Sequence, residues 1–345
     1  MKKFIGITLV AVLTVLALVS CSSAAKPNPE GPTGKIVIYT SMYEDVIETL
    51  NWSLQRQFPN CQIELVYGGT GQLQARVAAE QASNRLGCDM LMVADPSYSL
   101  ELKDKGMLNK YVSKTATNLA FDYDPDGYWY PVRVSNMVLA YNPDKYSKSS
   151  LPNSFMDFAA DTSVKGAISM SNPLTSGTTL AAVIALIDKY GYGYFDTLNK
   201  QNINIESSAV ALSKLETGEY KEIMVLEESV LEKREDENSK LEVIYPTDGV
   251  IMIPSSIMTI AAKWSANNNI PAAEVITDWF LGPEGQNAIV DGWMHSVRKN
   301  FRRIPFDSIP TSRIQAVSMP INWENVYREK TDILARVEQF LENRQ

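Results

Sequence analysis

The order in which β-type and helical patterns follow one another constrains this chain more than any other feature. Lys35-Ile36-Val37-Ile38-Tyr39 is a strand run, and Val46, Ile47, Leu50, Leu54 and Phe58 then recur at helical spacing. The alternation repeats with a strand over 62–67 before a helix over 72–84, and a strand over 89–94 before Asp95-Pro96. Strands alternating with helices build an α/β fold with a mostly parallel sheet covered on both faces. The loops after successive strands then gather on one edge, where open α/β sheets bind ligands. Ser41 and Glu44 stand three apart ahead of the first helix, the spacing of a capping box. Gly68-Gly69-Thr70-Gly71 forms the second turn. It lacks the Lys-Ser/Thr that a nucleotide-hydrolysing phosphate loop requires.

Two long β segments follow, over 130–141 and over 241–253, each broken in its middle by polar or turn residues such as Ser135-Asn136 and Asp248-Gly249. A chain that crosses from one lobe to another and returns needs two such connections. About 310 residues are left for folded structure, more than one ordinary core holds, so two lobes are expected. The boundaries read as 34–134 plus 250–300 for the first lobe and 135–249 plus 301–345 for the second. The last helix carries Ile333, Leu334, Val337, Phe340 and Leu341 on one face, which must dock on a lobe.

Lys2 and Lys3 precede an apolar run that ends in Leu18-Val19-Ser20-Cys21. The run is short for a membrane span and has the order of an export signal. Leu18 to Cys21 resembles the lipobox of bacterial lipoproteins, which implies a signal over 1–20, removed, and acyl chains on Cys21. Cleavage without lipid and an uncut anchor are the other readings. Ser22 to Pro29 is too poor in apolar residues to fold. A tether over 21–33 would hold the body roughly 40 Å from the bilayer. An exported location, periplasmic or at the cell surface, is therefore expected, with the membrane as a partner through the anchor. Export permits a disulfide between Cys61 and Cys88, but the expected strand order puts another strand between them, and the pairing stays open.

Forty acidic residues against 32 basic ones give a net charge of −8, and no basic block is present to track a phosphate backbone, so nucleic acid is excluded as a partner. The chain has one histidine, His295, and no Gly-x-Ser-x-Gly. No nucleophile with its base is apparent, so an enzyme is not expected, nor is a cofactor.

Three segments carry a family resemblance. Lys35 to Tyr39 followed by Thr40-Ser41-Met42-Tyr43-Glu44, then Val138-Leu139-Ala140-Tyr141-Asn142, then Asp278-Trp279-Phe280-Leu281-Gly282-Pro283-Glu284-Gly285-Gln286 resemble the ferric-ion and sugar-phosphate branch of the periplasmic binding proteins of ABC importers. The likeness covers nearly the whole mature chain in order. It implies a two-lobed, hinge-closing monomer with a small solute buried between its lobes and ABC permease subunits as partners. Members that hold ferric ion place two adjacent tyrosines after a second-lobe strand. Here the corresponding strand runs into Glu227-Glu228-Ser229, and Ser41-Met42 stands where a histidine is often found. Glu227 and Glu228 are hard oxygen donors, so a bare cation remains an alternative ligand.

An anionic solute fits the residues better. Ser171-Asn172-Pro173-Leu174-Thr175-Ser176-Gly177-Thr178-Thr179 opens a helix, and no Asp or Glu occurs from 162 to 187. A helix start has free N–H groups and a positive dipole end, and leaving it without a carboxylate suits a phosphate brought by the ligand. Gly177 lets the backbone approach closely. Ser176 capping its own helix explains the same residues without a ligand. From the first lobe, Ser41, Met42 and Thr70 stand at strand-end loops and join the candidate set. Arg133, at the first crossover, supplies a fixed cation or an interlobe salt bridge. Glu227, Glu228 and Asp248 read as acceptors for ligand hydroxyls or an amine, or, for the glutamates, as a solvated helix start. A sugar phosphate is the simplest ligand, an aminophosphonate the next. The alternatives are ferric ion and a surface lipoprotein or adhesin without a transport ligand.

Overall fold

The computed structural model describes residues 31–343. The signal segment, Cys21 and the first part of the tether lie outside the described residues. The nine strands are β1 (Gly34–Thr40), β2 (Cys61–Tyr67), β3 (Met90–Val93), β4 (Tyr130–Tyr141), β5 (Ile168–Met170), β6 (Asn204–Ile205), β7 (Glu222–Leu226), β8 (Glu242–Ile244) and β9 (Ile251–Thr259). The helices that surround them are α1 (Glu44–Gln57), α2 (Thr70–Gln81), α3 (Pro96–Asp104), α4 (Phe155–Ala160), α5 (Gly177–Tyr190), α6 (Gly193–Lys200), α7 (Ser208–Thr217), α8 (Glu227–Asp236), α9 (Ile270–Leu281), α10 (Pro283–Asp291), α11 (Thr311–Gln315) and α12 (Trp323–Glu342).

These nine strands of the described residues share one sheet in the order β2-β1-β3-β9-β4-β7-β5-β6, with β8 also paired to β4. β1 runs parallel to β2 and β3, and β5 parallel to β6 and β7. Between these two parallel blocks lie the long crossovers. β9 pairs antiparallel with β3 and with the first part of β4, while the second part of β4 pairs with β7 and β8. The first lobe is the block holding β1 to β3; the second holds β5 to β7. A register shift between Pro131 and Arg133 interrupts the β4–β9 ladder. Such a bulge bends a strand and re-aims its side chains. Gly249, at φ +123°, makes the turn that leads into β9, a conformation other residues rarely adopt.

Alternation along β1 explains how one strand serves two layers. Ile36 and Ile38 pack with Val46, Leu50, Phe280 and Ile289, whereas Val37 and Tyr39 face Leu73, Val77 and Leu102. The second lobe repeats this with β7: Met224 and Leu226 join Phe155, Phe158 and Ile184, and Ile223 and Val225 join Leu212 and Leu215. The apolar face of α12, with Val326, Ile333, Val337 and Phe340, enters the second-lobe core.

Two local readings need correction, and the open cysteine pairing is answered. α1 starts at Glu44 with Tyr43 as its N-cap and no side-chain cap, so the Ser41–Glu44 capping box does not form. The Ser41 N–H is instead spent on Met92 O at 3.0 Å. α2 starts at Thr70, two residues early, which makes the glycine-rich turn the helix start itself. Cys61 and Cys88 are free thiols, with β1 standing between the strands they precede or open. Burial pushes both thiols up from their ordinary value, which keeps them unreactive. Thermal melting with and without dithiothreitol is expected to superimpose; a midpoint that falls on reduction would reveal a bond between them. Among the described residues, no helix is long and apolar enough to cross a membrane.

Candidate ligand-binding cleft

A cleft of about 570 Å³ lies between the lobes, and its wall is made of strand ends. Ser41 follows β1, Gly69 and Thr70 follow β2, and Ala94 follows β3; across the gap, Ser171 and Asn172 follow β5, Ser207 follows β6 and Leu226 closes β7. Six strands thus end at one opening, the edge where open α/β sheets take ligands.

Three helices begin there as well. α2, α5 and α7 all start on the cleft wall, and none has an acidic residue in its first turn. By contrast, α1 and α8 carry Glu44 with Asp45 and Glu227 with Glu228 at the same positions. At α5, Ser176 caps its own helix, its Oγ accepting from the Thr179 N–H at 3.2 Å and from the Thr179 hydroxyl at 3.0 Å. Capping uses one donor. The amides of Gly177 and Thr178 meet no acceptor among the described residues.

The two lobes touch across the gap. A Cβ on Gly177 would lie 2.6 Å from Thr70 Cβ, and one on Gly71 would lie 2.7 Å from the Leu174 carbonyl oxygen. The starts of α2 and α5 therefore abut, which is a closed arrangement. Bringing two positive helix ends together is unfavourable unless negative charge sits between them.

Arg133 forms part of the cleft floor with only 3 % of its surface exposed. Its guanidinium donates to Ser135 Oγ at 3.1 Å and to Ser41 Oγ at 3.3 Å, and lies 3.0 Å from Met294 Sδ. Nε has no partner among the described residues, and Glu228 Oε1 is 3.9 Å away from Nη1, too far for a hydrogen bond. A guanidinium has five donors and stays ionised, so much of this one is unspent. Burial lowers its pKa and the Glu228 charge opposes that shift. Glu228 itself is pushed up by burial, against the pull of Arg133 and Ser135.

Aromatic and amide groups complete the wall. The rings of Tyr43 and Tyr67 are 6.5 Å apart and tilted by 43°. Burial raises both phenols above their ordinary value, with Glu228 adding to the effect at Tyr43, so both remain neutral. The carboxylate on the wall, Glu206, is engaged by Lys214 Nζ at 2.6 Å.

Of the residues singled out in the sequence, Ser41, Thr70, Arg133, Thr175, Ser176, Gly177 and Thr178 line this cleft. Thr179 is buried one step inside α5. Four others do not belong to the wall. Met42 points into the first-lobe core beside Val46 and Leu50 because the chain leaving β1 keeps alternating faces. Asp248 caps a distant helix: its carboxylate accepts from Phe155 N at 3.0 Å, Met156 N at 3.1 Å and Tyr190 OH at 2.7 Å. Glu227 is the hub of a buried network, accepting from Asn136 Nδ2 at 2.6 Å, Tyr245 OH at 2.5 Å and Ser308 OH at 2.5 Å, with His295 Nε2 at 3.0 Å. Burial raises its pKa, but these donors outweigh burial and hold it low. Glu228 sits behind Arg133. Tyr43, Tyr67, Gln72, Ser207 and Ser208 line the cleft without having been selected. The signal for Ser208 was the one used at Gly177, a helix start without a carboxylate.

Two α/β lobes joined by paired crossover strands, with a polar cleft between them, define the architecture of the periplasmic-type binding proteins. Residues 88–305 match the family of bacterial extracellular solute-binding proteins, and the chain belongs to that family. It is 23 % identical over 228 residues to a probable ABC transporter periplasmic-binding protein of Sinorhizobium fredii, covering 64 % of this chain and 62 % of that protein. The chain thus spans under two thirds of the length of that curated relative. Its fold is similar to that of iron-bound HitA from Pseudomonas aeruginosa, with a TM-score of 0.76, 21 % identity and coverage of 90 % of this chain and 99 % of that one. It is also similar to AfuA from Actinobacillus pleuropneumoniae with exogenous fructose-6-phosphate bound, with a TM-score of 0.75, 18 % identity and coverage of 90 % and 98 %.

Proposed function

We propose that this protein is the substrate-binding subunit of an ABC importer and that it captures a small organophosphate, a sugar phosphate or a phosphonate, between closing lobes. The observation that carries the reading is the meeting of three acid-free helix starts and the Arg133 guanidinium in one cleft. Hydroxyls of Thr70, Thr175, Ser176 and Ser208 supply further donors for phosphate oxygens. Tyr43, Tyr67 and Gln72 are left for the organic part of the solute. The volume falls in the range of small-ligand sites.

Ferric ion fits less well. The carboxylate best placed by sequence to bind it, Glu227, spends its lone pairs on internal donors. Capture works by population shift, since a solute touching both lobes binds the closed form better. An affinity near a micromolar, about 8 kcal/mol, suffices for uptake. The loaded, closed monomer then docks on the permease subunits, while a lipid on Cys21 keeps it at the membrane.

Thermal melting with fructose 6-phosphate, glucose 6-phosphate, 2-aminoethylphosphonate, inorganic phosphate and ferric citrate tests the reading. A phosphate ester or phosphonate at about 100 times its Kd is expected to add about 2.7 kcal/mol and raise the midpoint by several degrees. A shift with ferric citrate alone, accompanied by a visible absorption band, would replace the organophosphate with iron. No shift with any solute would point to a surface lipoprotein.

A further inference from the structure

The C-terminal helix is attached to both lobes. Its apolar face is buried in the second-lobe core, while another side meets α3 of the first lobe. There Lys330 Nζ lies 3.0 Å from Asp95 Oδ2, 4.0 Å from Glu101 and 5.2 Å from the centre of the Tyr98 ring. Tyr327 adds a hydrogen bond to Asp104 at 2.9 Å. The Lys330 and Asp95 side chains are 17 % and 6 % exposed, so salt screens this pair far less than a surface pair. Asp95 directly follows Ala94 of the cleft wall, and its Oδ2 also accepts from Gln74 Nε2 of α2 at 2.8 Å. The helix whose start faces the ligand is therefore held by the same carboxylate that grips α12.

We propose that Lys330 is a positioning residue for solute capture, whose ion pair with Asp95 ties the second lobe to the first and sets the balance between closed and open forms. The inference rests on the lobe-closing reading given above. α12 travels with the second lobe and α3 with the first, and the pair is made while Thr70 and Gly177 are in contact. Opening strains or breaks it. Lys330 touches no solute, yet its loss lowers the closed population, and the apparent Kd rises in the same proportion.

Dyes on Gln62→Cys and Lys165→Cys, exposed positions in the first and second lobes, report closure by single-molecule energy transfer in the otherwise complete chain. The buried thiols of Cys61 and Cys88 stay unlabelled. Lys330→Met is expected to cut the closed fraction without solute by about tenfold and to raise the Kd for fructose 6-phosphate by about the same factor, with saturating fructose 6-phosphate restoring closure. Lys330→Arg should retain closure, and Tyr327→Phe should change it little. Asp95→Asn added to Lys330→Met should cost little more closure than Lys330→Met alone, the signature of a coupled pair. A Lys330→Met protein that melts like its parent and closes as often overturns the proposal. If fructose 6-phosphate fails to bind the parent while closure still responds to Lys330, the organophosphate reading fails and the positioning role stands.

Discussion

Replacing Arg133 by methionine is expected to weaken capture of the organophosphate by about 100-fold, roughly 3 kcal/mol, as read by isothermal titration. Among the described residues the guanidinium is the one cation on the cleft wall, and its Nε has no partner. A charged donor held in low dielectric contributes more than the same group in water. The variant should nevertheless melt close to its parent without solute. Burying the guanidinium already costs desolvation energy, and its partner Glu228 is loosely placed at 3.9 Å, its carboxyl pushed up by burial and further in the same direction once the cation is gone. Arg133→Lys should fall between the two, since it keeps the charge and loses the fork. Unchanged affinity in Arg133→Met would mean that the helix starts alone hold the anion.

Much of this architecture was legible because it is written in short-range periods. β1 to β3 announce themselves by apolar runs, and the helices between them by 3.6-residue spacing. The first crossover was recognisable as a long β segment, though it runs unbroken through Ser135-Asn136; the second was misjudged, since 241–253 divides into β8 and the start of β9, which continues to Thr259. What stayed hidden depends on partners far away in the chain. Asp248 caps α4 across 93 residues, and Glu227 finds Asn136 and His295 at separations of 91 and 68. Neither engagement has a local signature, so both carboxylates looked free for a ligand. Met42 failed for the opposite reason. It adjoins Ser41 in sequence, but neighbours on an extended chain point to opposite sides.

The cleft was half legible. The acid-free start of α5 was visible as a long gap in carboxylates. The equivalent start of α7 was masked by Glu206, which stands two residues before it and whose Oε1 meets Lys214 only in three dimensions. That α2 joins them follows from its beginning at Thr70, inside what read as a plain glycine turn. A single helix start is weak evidence for an anion site. Three that converge with an arginine make an electrostatic problem that the proposed anionic solute would resolve.

Glu222→Gln is expected to stabilise the protein by about 3 kcal/mol at pH 7, with the gain depending on pH. Glu222 opens β7 with no exposed surface, and neither carboxylate oxygen has a hydrogen-bond partner among the described residues. Burial, reinforced by the charge of Asp161, pushes its pKa from 4.5 up to about 9. At neutral pH the folded chain therefore holds a proton that the unfolded chain has released. For an acid raised in this way, stability is lost as pH rises from the unfolded value to the folded one, at about 1.4 kcal/mol per unit. Roughly 2.5 units separate 4.5 from 7, which gives the stated figure. Glutamine has the shape of the neutral acid and no proton to manage. Urea unfolding at pH 4, 7 and 8.5 should show near-equal midpoints at the lowest value and a gap that widens with pH. A gap that does not change with pH would mean that Glu222 is ionised in the fold. Solute affinity should stay the same throughout, since Glu222 stands at the end of β7 opposite to Leu226, the residue that reaches the cleft.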